Sequence, residues 1–172
     1  MTLILRYYGD PILRKRASDV TAFGPDLRAV AAEMIETMRR EEGVGLAAPQ
    51  VGLDMRLLVA LRMADPDDEE ADPIVLVNAE VVERSRETWE YEEGCLSIPG
   101  IRGDVTRPLR VMIRYRDPDG VERTLDAEGM FARVLQHEID HTEGRLFIDY
   151  LSAAEKALLK PRLKKLADRL SG

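Results

Sequence analysis

One short stretch, Gln136-His137-Glu138-Ile139-Asp140-His141, contains both histidines of the chain. They are four residues apart, so on a helix both rings project from the same face, and that face also carries Met130 and Val134. Burying two imidazoles on an apolar stripe is costly unless a shared partner satisfies them. A divalent metal ion does so, and Glu138 would then lie beside a metal-bound water. The stretch therefore predicts a metal site of the H-E-x-x-H type.

The third metal ligand separates the possible interpretations. In one group of zinc peptidases the extended motif places a third histidine where this chain has Phe147. In another group the third ligand is a glutamate further along the chain, but the nearest candidate, Glu155, is expected to cap a helix together with Ser152. Cys95, the single cysteine, is the natural remaining donor. Three protein ligands leave a fourth position open for water, which is the pattern of catalytic sites.

The order of predicted elements indicates an α+β protein. Apolar residues at helical spacing predict helices over residues 25–42, 127–142 and about 153–170, with Gly43 ending the first. Pro161 is expected to kink the last helix or to delay its start. Strands are predicted over 55–61, 74–83, 86–92, 110–116 and 121–126, the last two forming a hairpin around Asp117-Pro118-Asp119-Gly120. Because strands and helices do not alternate regularly, we expect α+β rather than α/β.

Composition excludes several classes of protein. The 172 residues fit one domain, residues 1–172, and the net charge of −7 disfavours binding to DNA. The longest apolar run, residues 57–61, is far shorter than the roughly 18–20 residues that span a bilayer. One cysteine rules out an intrachain disulfide and suits a reducing compartment. We also expect no signal peptide and a cytoplasmic location. Residues 65–72, with six carboxylates, predict a solvated surface loop.

Three segments together resemble bacterial peptide deformylase. They are Gly43-Val44-Gly45-Leu46-Ala47-Ala48-Pro49-Gln50, Glu93-Gly94-Cys95-Leu96-Ser97 and Gln136-His137-Glu138-Ile139-Asp140-His141. The flanking stretches 9–14 and 144–149 agree with the family as well, so the resemblance covers nearly the whole chain. The departures, Thr142 in place of leucine and the acidic stretch 65–72, lie outside the motif positions that carry the chemistry.

The resemblance implies a fold, an activity and a metal centre. The implied fold has antiparallel or mixed β-sheets packed around a central metal-binding helix, with an N-terminal helix and a C-terminal helix. The implied activity is removal of the formyl group from the N-terminal formyl-methionine of nascent polypeptides, by attack of a metal-bound water or hydroxide. The implied ligands are Cys95, His137 and His141, holding Fe(2+), for which Ni(2+), Co(2+) or Zn(2+) can substitute.

The chemistry of formamide hydrolysis suggests roles for further residues. Glu138 is placed to take a proton from water and to deliver it to the leaving amine. The side-chain amide of Gln50 and the backbone N–H of Leu96 are candidate donors to the developing oxyanion. Candidate substrate-binding residues are Val44, Gly45, Gly100, Arg102, Met130 and Arg133. The stem of Arg133, with Val44 and Met130, would form an apolar slot for the methionine side chain.

The sequence leaves two questions open: what the basic C-terminal stretch contacts, and whether the protein is a deformylase or another metal-binding protein. Residues 152–172 hold six basic and two acidic residues. They indicate either a solvated helix face or a surface that contacts the ribosome. The resemblance implies that the substrates are N-formylmethionyl nascent peptides. No membrane partner is expected. The alternatives to a deformylase are a zinc metallopeptidase of the H-E-x-x-H type and a catalytically inactive metal-binding module. The presence of Glu138 and Gln50 counts against the module, because neither is needed to hold a metal.

Overall fold

The computed structural model describes residues 2–65, 67–68 and 70–170, and the fold within those ranges is α+β, as expected. The helices are α1 (Pro25–Arg40), α2 (Gly129–Thr142) and α3 (Ala153–Leu170). The strands are β1 (Gly45–Ala47), β2 (Leu57–Leu61), β3 (Pro73–Arg84), β4 (Thr88–Cys95), β5 (Ile98–Pro108), β6 (Arg110–Arg116) and β7 (Glu122–Glu128). Short 3-10 helices occupy Pro11–Arg14, Ala48–Val51 and Phe147–Tyr150.

Two antiparallel sheets provide the framework. The larger has the strand order β1-β2-β3-β6-β7, and the smaller is the β4–β5 pair. Strands β6 and β7 form the predicted hairpin, in which the Asp119 N–H donates to the Asp117 Oδ1 at 2.9 Å. Gly120 there has a φ of 87°, a left-handed conformation that glycine adopts without strain.

Strand β2 is buried along its whole length because the larger sheet is covered on both faces. Its side chains alternate between two clusters, as the two-residue period of a strand requires. Leu58 and Ala60 pack in one cluster with Leu135 and Ile139 of α2. Leu57, Val59 and Leu61 pack in a second cluster with Leu27, Met34 and Met38 of α1.

Helix α2 is the centre of the molecule. Twelve of its fourteen residues are buried, so it is enclosed on nearly every face instead of presenting one face to water. A third apolar cluster combines Val105 of β5, Phe147 of a 3-10 helix and Leu163 of α3. The predicted arrangement of sheets around a central helix is confirmed. No helix within the described ranges is both long and apolar enough to cross a membrane.

Several predicted boundaries were wrong for physical reasons. Strands β1 and β5 were not predicted: β1 is short and glycine-containing, while Pro99 and Gly100 in β5 are residues typical of turns. Helix α2 begins at Gly129 rather than at 127, since β7 continues to Glu128. Helix α1 ends at Arg40, and the left-handed residue after it is Glu42, with a φ of 57°, not Gly43.

The last helix and the acidic segment are closer to expectation. Helix α3 starts at Ala153, capped by the Ser152 hydroxyl, so Pro161 does not delay its start. Of the acidic segment 65–72, the described residues Asp65, Asp67, Glu70 and Asp72 are exposed, which confirms a surface loop at these positions. Pro66 and Glu69 of that segment, and residues 171–172 of the basic C-terminal stretch, lie outside the described residues.

Candidate metal centre and substrate cleft

The structure brings the three predicted metal ligands together. One donor atom from each of Cys95, His137 and His141 lies within 4.8 Å of the others. The Cys95 Sγ is 3.4 Å from the Nε2 of His141. Both histidines come from α2, and Cys95 comes from the end of β4, where the pairing with β5 changes register after Gly94. This irregular turn directs a half-buried thiol toward the helix.

His137 is fixed by a buried carboxylate. Its Nδ1 is 2.8 Å from the Glu93 Oε1, and in the tautomer that donates from Nδ1 the Nε2 lone pair is free for a metal ion. Although burial alone would raise it, hydrogen bonds with His137 and Arg107 lower the pKa of Glu93 below its usual range. Glu93 is therefore a permanent anion, which holds the imidazole in one orientation.

The two histidines differ in their protonation. Burial opposes the charged form of His137, but hydrogen bonds with Cys95 and Glu93 raise its pKa well above the ordinary value. Burial, followed by repulsion from His137, lowers the pKa of His141. Burial thus favours the neutral form of His141, which can donate a lone pair, whereas the neighbours of His137 favour its charged form, with which a metal ion competes.

Glu138 is buried next to the ligands and lacks a full set of partners. Its Oε2 has no hydrogen-bond partner among the described residues. Burial raises the pKa of this carboxyl to about 7. A carboxyl with such a pKa can both accept and return a proton near neutral pH. Gly45 makes room for it, since a Cβ at Gly45 would lie 2.8 Å from the Glu138 Oε1.

Gln50 is held with its amide nitrogen toward Cys95. The Gln50 Oε1 accepts the backbone N–H of Ala47 at 2.9 Å. Its Nε2 then donates to the Ser97 Oγ at 3.2 Å and is 3.5 Å from the Cys95 Sγ. The 3-10 helix Ala48–Val51 sets this orientation by turning the chain back on β1.

A cleft of about 820 Å³ opens above these residues. Every predicted substrate-binding residue lines it: Val44, Gly45, Gly100, Arg102, Met130 and Arg133. Gln50, Leu96, His137, Glu138 and Cys95 line it as well. The Arg133 guanidinium is buried, and its two terminal nitrogens donate to Glu93 and to the carbonyls of Trp89 and Val105. Arg102 is exposed and pairs with Glu92 at 2.7 Å.

The donor set fits a divalent transition metal. One thiolate and two imidazoles are ligands that Fe²⁺, Co²⁺, Ni²⁺ and Zn²⁺ accept. The three donors converge, and Glu93 supports His137 in the way that carboxylates commonly support metal-binding histidines. The unpartnered Glu138 Oε2 lies beside them, buried and with no donor among the described residues to satisfy it. A water held at an open fourth ligand position would satisfy that oxygen.

Comparison with known proteins agrees with this geometry. Residues 2–157 match the family model described as polypeptide deformylase. The chain belongs to the peptide deformylase family. The peptide deformylase of Cytophaga hutchinsonii is 47% identical over 162 residues, which cover 93% of this chain and 88% of that protein.

Solved structures extend the agreement to three dimensions. The structure of peptide deformylase from Thermus thermophilus matches with a TM-score of 0.90 and 38% identity, covering 98% of this chain and 99% of that one. The deformylase from Synechococcus elongatus in complex with actinonin matches with a TM-score of 0.82 and 38% identity, covering 97% of this chain and 86% of that one. The family assignment does not support the peptidase alternative.

Sequence reasoning did not assign a role to several residues around the site. Ser97 was quoted only as part of a motif, yet its hydroxyl accepts the Gln50 amide. Glu93 and Arg107 form a buried ion pair that supports His137. The sequence did contain a signal for the role of Glu93. It is a carboxylate beside the cysteine motif, and metal-binding histidines need a hydrogen-bond acceptor. Arg107 had none, since nothing in its surrounding sequence shows that it is buried.

Proposed function

We propose that this chain is a peptide deformylase that hydrolyses the N-terminal formyl group of formyl-methionyl nascent polypeptides in a metal-dependent reaction. The observation that carries the proposal is the convergence of Cys95, His137 and His141, of which Cys95 and His137 line the same cleft as Glu138 and Gln50. A site that merely stores a metal needs neither a buried carboxyl of raised pKa nor an oriented amide. Both assist the hydrolysis of an amide, the carboxyl by moving a proton and the amide by stabilising the oxyanion.

The three ligands would hold a divalent ion, and we infer that the native ion is Fe(2+), with Ni(2+), Co(2+) or Zn(2+) as substitutes. When bound, such an ion lowers the pKa of water toward ~7 and polarises a carbonyl oxygen. The single soft thiolate among imidazoles supports a transition metal over Mg²⁺ or Ca²⁺. Because the Cys95 thiolate is open to oxidation, a reducing compartment such as the cytoplasm suits the site.

Glu138 moves the proton. Its carboxylate takes a proton from the attacking water and returns it to the departing amine, and the pKa of about 7 balances the two transfers. Glu138 is buried, and a Cβ on Gly45 would lie 2.8 Å from its Oε1, so the carboxyl has little room to turn away from the leaving nitrogen.

Gln50 and Leu96 stabilise the oxyanion. Of the two hydrogens on the Gln50 Nε2, one is donated to the Ser97 Oγ and the other faces the Cys95 Sγ, where an oxyanion at the metal site would accept it. The Ala47 N–H fixes this orientation before substrate arrives. Rotation away from this direction would break that hydrogen bond, so the donor is preorganised. Leu96 follows Cys95 directly and lines the same cleft, which supports its backbone N–H as the second donor.

The cleft walls suit an extended peptide that begins with methionine. Met130, Val134 and the stem of Arg133 supply an apolar wall for the methionine side chain, with the Arg133 charge bound elsewhere. Strand β1 lies at an edge of the larger sheet, so the backbone around Gly45 can pair with an added strand. Gly100 and Arg102 lie along the same cleft, where we place the residues after methionine.

We further propose that the exposed basic face of α3 contacts the ribosome. Lys156, Lys160, Lys164 and Lys165 are exposed, whereas Leu163 of the same helix is buried. Deleting the helix would expose the apolar surface that Leu163 covers, so charge reversal of Lys160, Lys164 and Lys165 to glutamate is the better test. Weaker sedimentation with ribosomes at low salt supports the proposal, and unchanged sedimentation of the folded variant contradicts it.

The deciding experiment measures formate released from formyl-Met-Ala-Ser by protein reconstituted with Ni²⁺ or with anaerobic Fe²⁺. Metal-dependent release that is abolished in Cys95→Ser establishes the activity and the third ligand together. A folded, metal-loaded protein that releases no formate would instead be an inactive binding module. Cleavage of internal peptide bonds without formate release would indicate a peptidase.

A further inference from the structure

Asp140 occupies the last variable position of the H-E-x-x-H motif but does not line the substrate cleft. It is buried, and its Oδ2 accepts two hydrogen bonds, from the Arg107 Nη1 at 2.9 Å and from the Tyr150 hydroxyl at 2.8 Å. These groups border a second, polar cavity of about 410 Å³. A buried carboxylate at this place needs an explanation other than contact with substrate.

Arg107 connects Asp140 to the metal centre. Its Nε donates to the Glu93 Oε2 at 2.6 Å and its Nη2 donates to the Glu93 Oε1 at 2.9 Å. The same Glu93 Oε1 is 2.8 Å from the His137 Nδ1. An unbroken chain of hydrogen bonds therefore runs from Tyr150 through Asp140, Arg107 and Glu93 to a metal ligand.

The guanidinium of Arg107 is the group that links Asp140 to Glu93. A guanidinium is planar and rigid, so fixing one edge of it fixes the other. Asp140 binds one edge and Glu93 binds the other, while the Tyr150 ring lies 4.8 Å from the guanidinium carbon. Arg107 is only 4% exposed, so its charge depends on its carboxylate partners more than on bulk water. Without Asp140, its charge would lack one of its two anions and the Nη1 edge of the guanidinium would lose its anchor, so Glu93 alone would set its position.

We propose that Asp140, anchored by Tyr150, is a positioning residue of the metal centre: it orients Arg107, which orients Glu93, which orients the His137 imidazole. The inference rests on the proposed ligand set. It assigns Asp140 and Tyr150, which border the second cavity, the role of an outer support for the metal site. It also explains why a carboxylate stands one residue before His141, where the metal itself does not require one.

The test measures metal affinity instead of activity alone. Asp140→Asn keeps the shape of the side chain and removes its charge, and Tyr150→Phe removes only the hydroxyl of a half-exposed ring. We expect the Ni²⁺ dissociation constant of Asp140→Asn, measured by competition with a chromophoric chelator, to rise about 10–100-fold. Tyr150→Phe should raise it less, and the absorption bands of the Co²⁺-loaded variants should shift because the ligand geometry changes.

Glu143→Gln is the matched control. Glu143 is exposed, lines the same cavity and lies beyond the hydrogen-bonded chain, so its loss removes the same charge without touching Arg107. The proposal is overturned if Asp140→Asn and Tyr150→Phe bind Ni²⁺ as Glu143→Gln does, with unchanged Co²⁺ spectra. Should Asp140→Asn fail to fold, Tyr150→Phe decides alone. This result can be distinguished from failure of the proposed function. If the proposed function is wrong, the parental protein itself releases no formate.

Discussion

Gly45 lies so close to Glu138 that a Cβ on Gly45 would come within 2.8 Å of the carboxylate oxygen. Strand β1 and helix α2 are thus in tight contact at the residue proposed to move the proton. Gly45 is itself buried and pairs with Ala60 of β2, so the strand cannot retreat without breaking its ladder. The glycine is required by the carboxyl opposite, not by the local backbone.

Gly45→Ala should therefore impair the reaction while leaving the metal in place. The added methyl pushes the Glu138 carboxyl aside, and we expect kcat to fall by about 10²-fold, the lower end of what a displaced acid–base group costs. Metal content should match the parental protein, since the atoms nearest to the added methyl belong to Glu138 and not to the three ligands. The measurement is formate release together with bound nickel per chain.

Gly43→Ala is the control for that experiment. Its Cβ would meet the Leu96 Cδ1, the mobile end of an aliphatic side chain, at 2.8 Å. A leucine end can rotate away, so we expect a smaller loss of kcat. Equal losses in the two variants would mean that any enlargement of this loop is harmful and that the contact with Glu138 is not special.

Glu138→Gln should yield a metal-loaded protein with almost no turnover. The amide keeps the size of the side chain but cannot accept the proton, and loss of such a group costs about 10²–10⁴ in rate. Normal nickel content is expected, because Glu138 is not among the converging donors. If the variant loses its metal instead, Glu138 has a structural part in the site.

Gln50→Leu separates stabilisation of the oxyanion from metal binding. Loss of one such donor lowers kcat by about 10²–10³, whereas the three ligands remain. The Ala47 N–H and the Ser97 hydroxyl lose a partner, so unfolding should be monitored in parallel. Turnover at the parental rate in a folded variant would remove Gln50 from the mechanism.

The candidate site was predictable from the sequence to the extent that its signals are local. His137, Glu138 and His141 lie within one helical turn or so, and Cys95 is the single cysteine, so spacing and elimination sufficed. The buried residues that hold the ligands in place were not predictable. Arg107 is 14 residues from Glu93 and 33 from Asp140 along the chain, and a single sequence carries no signal that pairs residues so far apart.

The strands, too, were predictable only where the sequence carries a local signal. Strand β2 was predicted because it is buried on both faces and reads as a continuous apolar run. Strand β5 was missed because much of it is exposed and its first half contains proline and glycine. Its structure depends on pairing with β4, which brings Cys95 opposite Ile98, and that pairing is a tertiary contact rather than a local preference.

Phe147 links the packing of the fold to the metal centre. It stands where the extended peptidase motif would have a third histidine, and it is fully buried, with its ring stacked on that of His137 at 6.2 Å between centroids. It also packs with Leu13, Val105 and Leu163 in the third apolar cluster. The residue therefore fills the space beside the ligand helix and restricts the imidazole at one ring face, whereas Glu93 holds its Nδ1 edge.

Phe147→Ala should destabilise the whole protein and loosen the metal site. Removal of a buried phenyl ring lowers the free energy of unfolding by about 3–5 kcal/mol, measurable by urea denaturation of the metal-free protein. Phe147→Leu should cost less, because it refills most of the space. Nickel affinity should follow the same order, Phe147→Ala weaker than Phe147→Leu, since the ring of His137 gains freedom as the neighbour shrinks. A loss of stability in Phe147→Ala without any change in nickel affinity would mean that Glu93 alone fixes the imidazole.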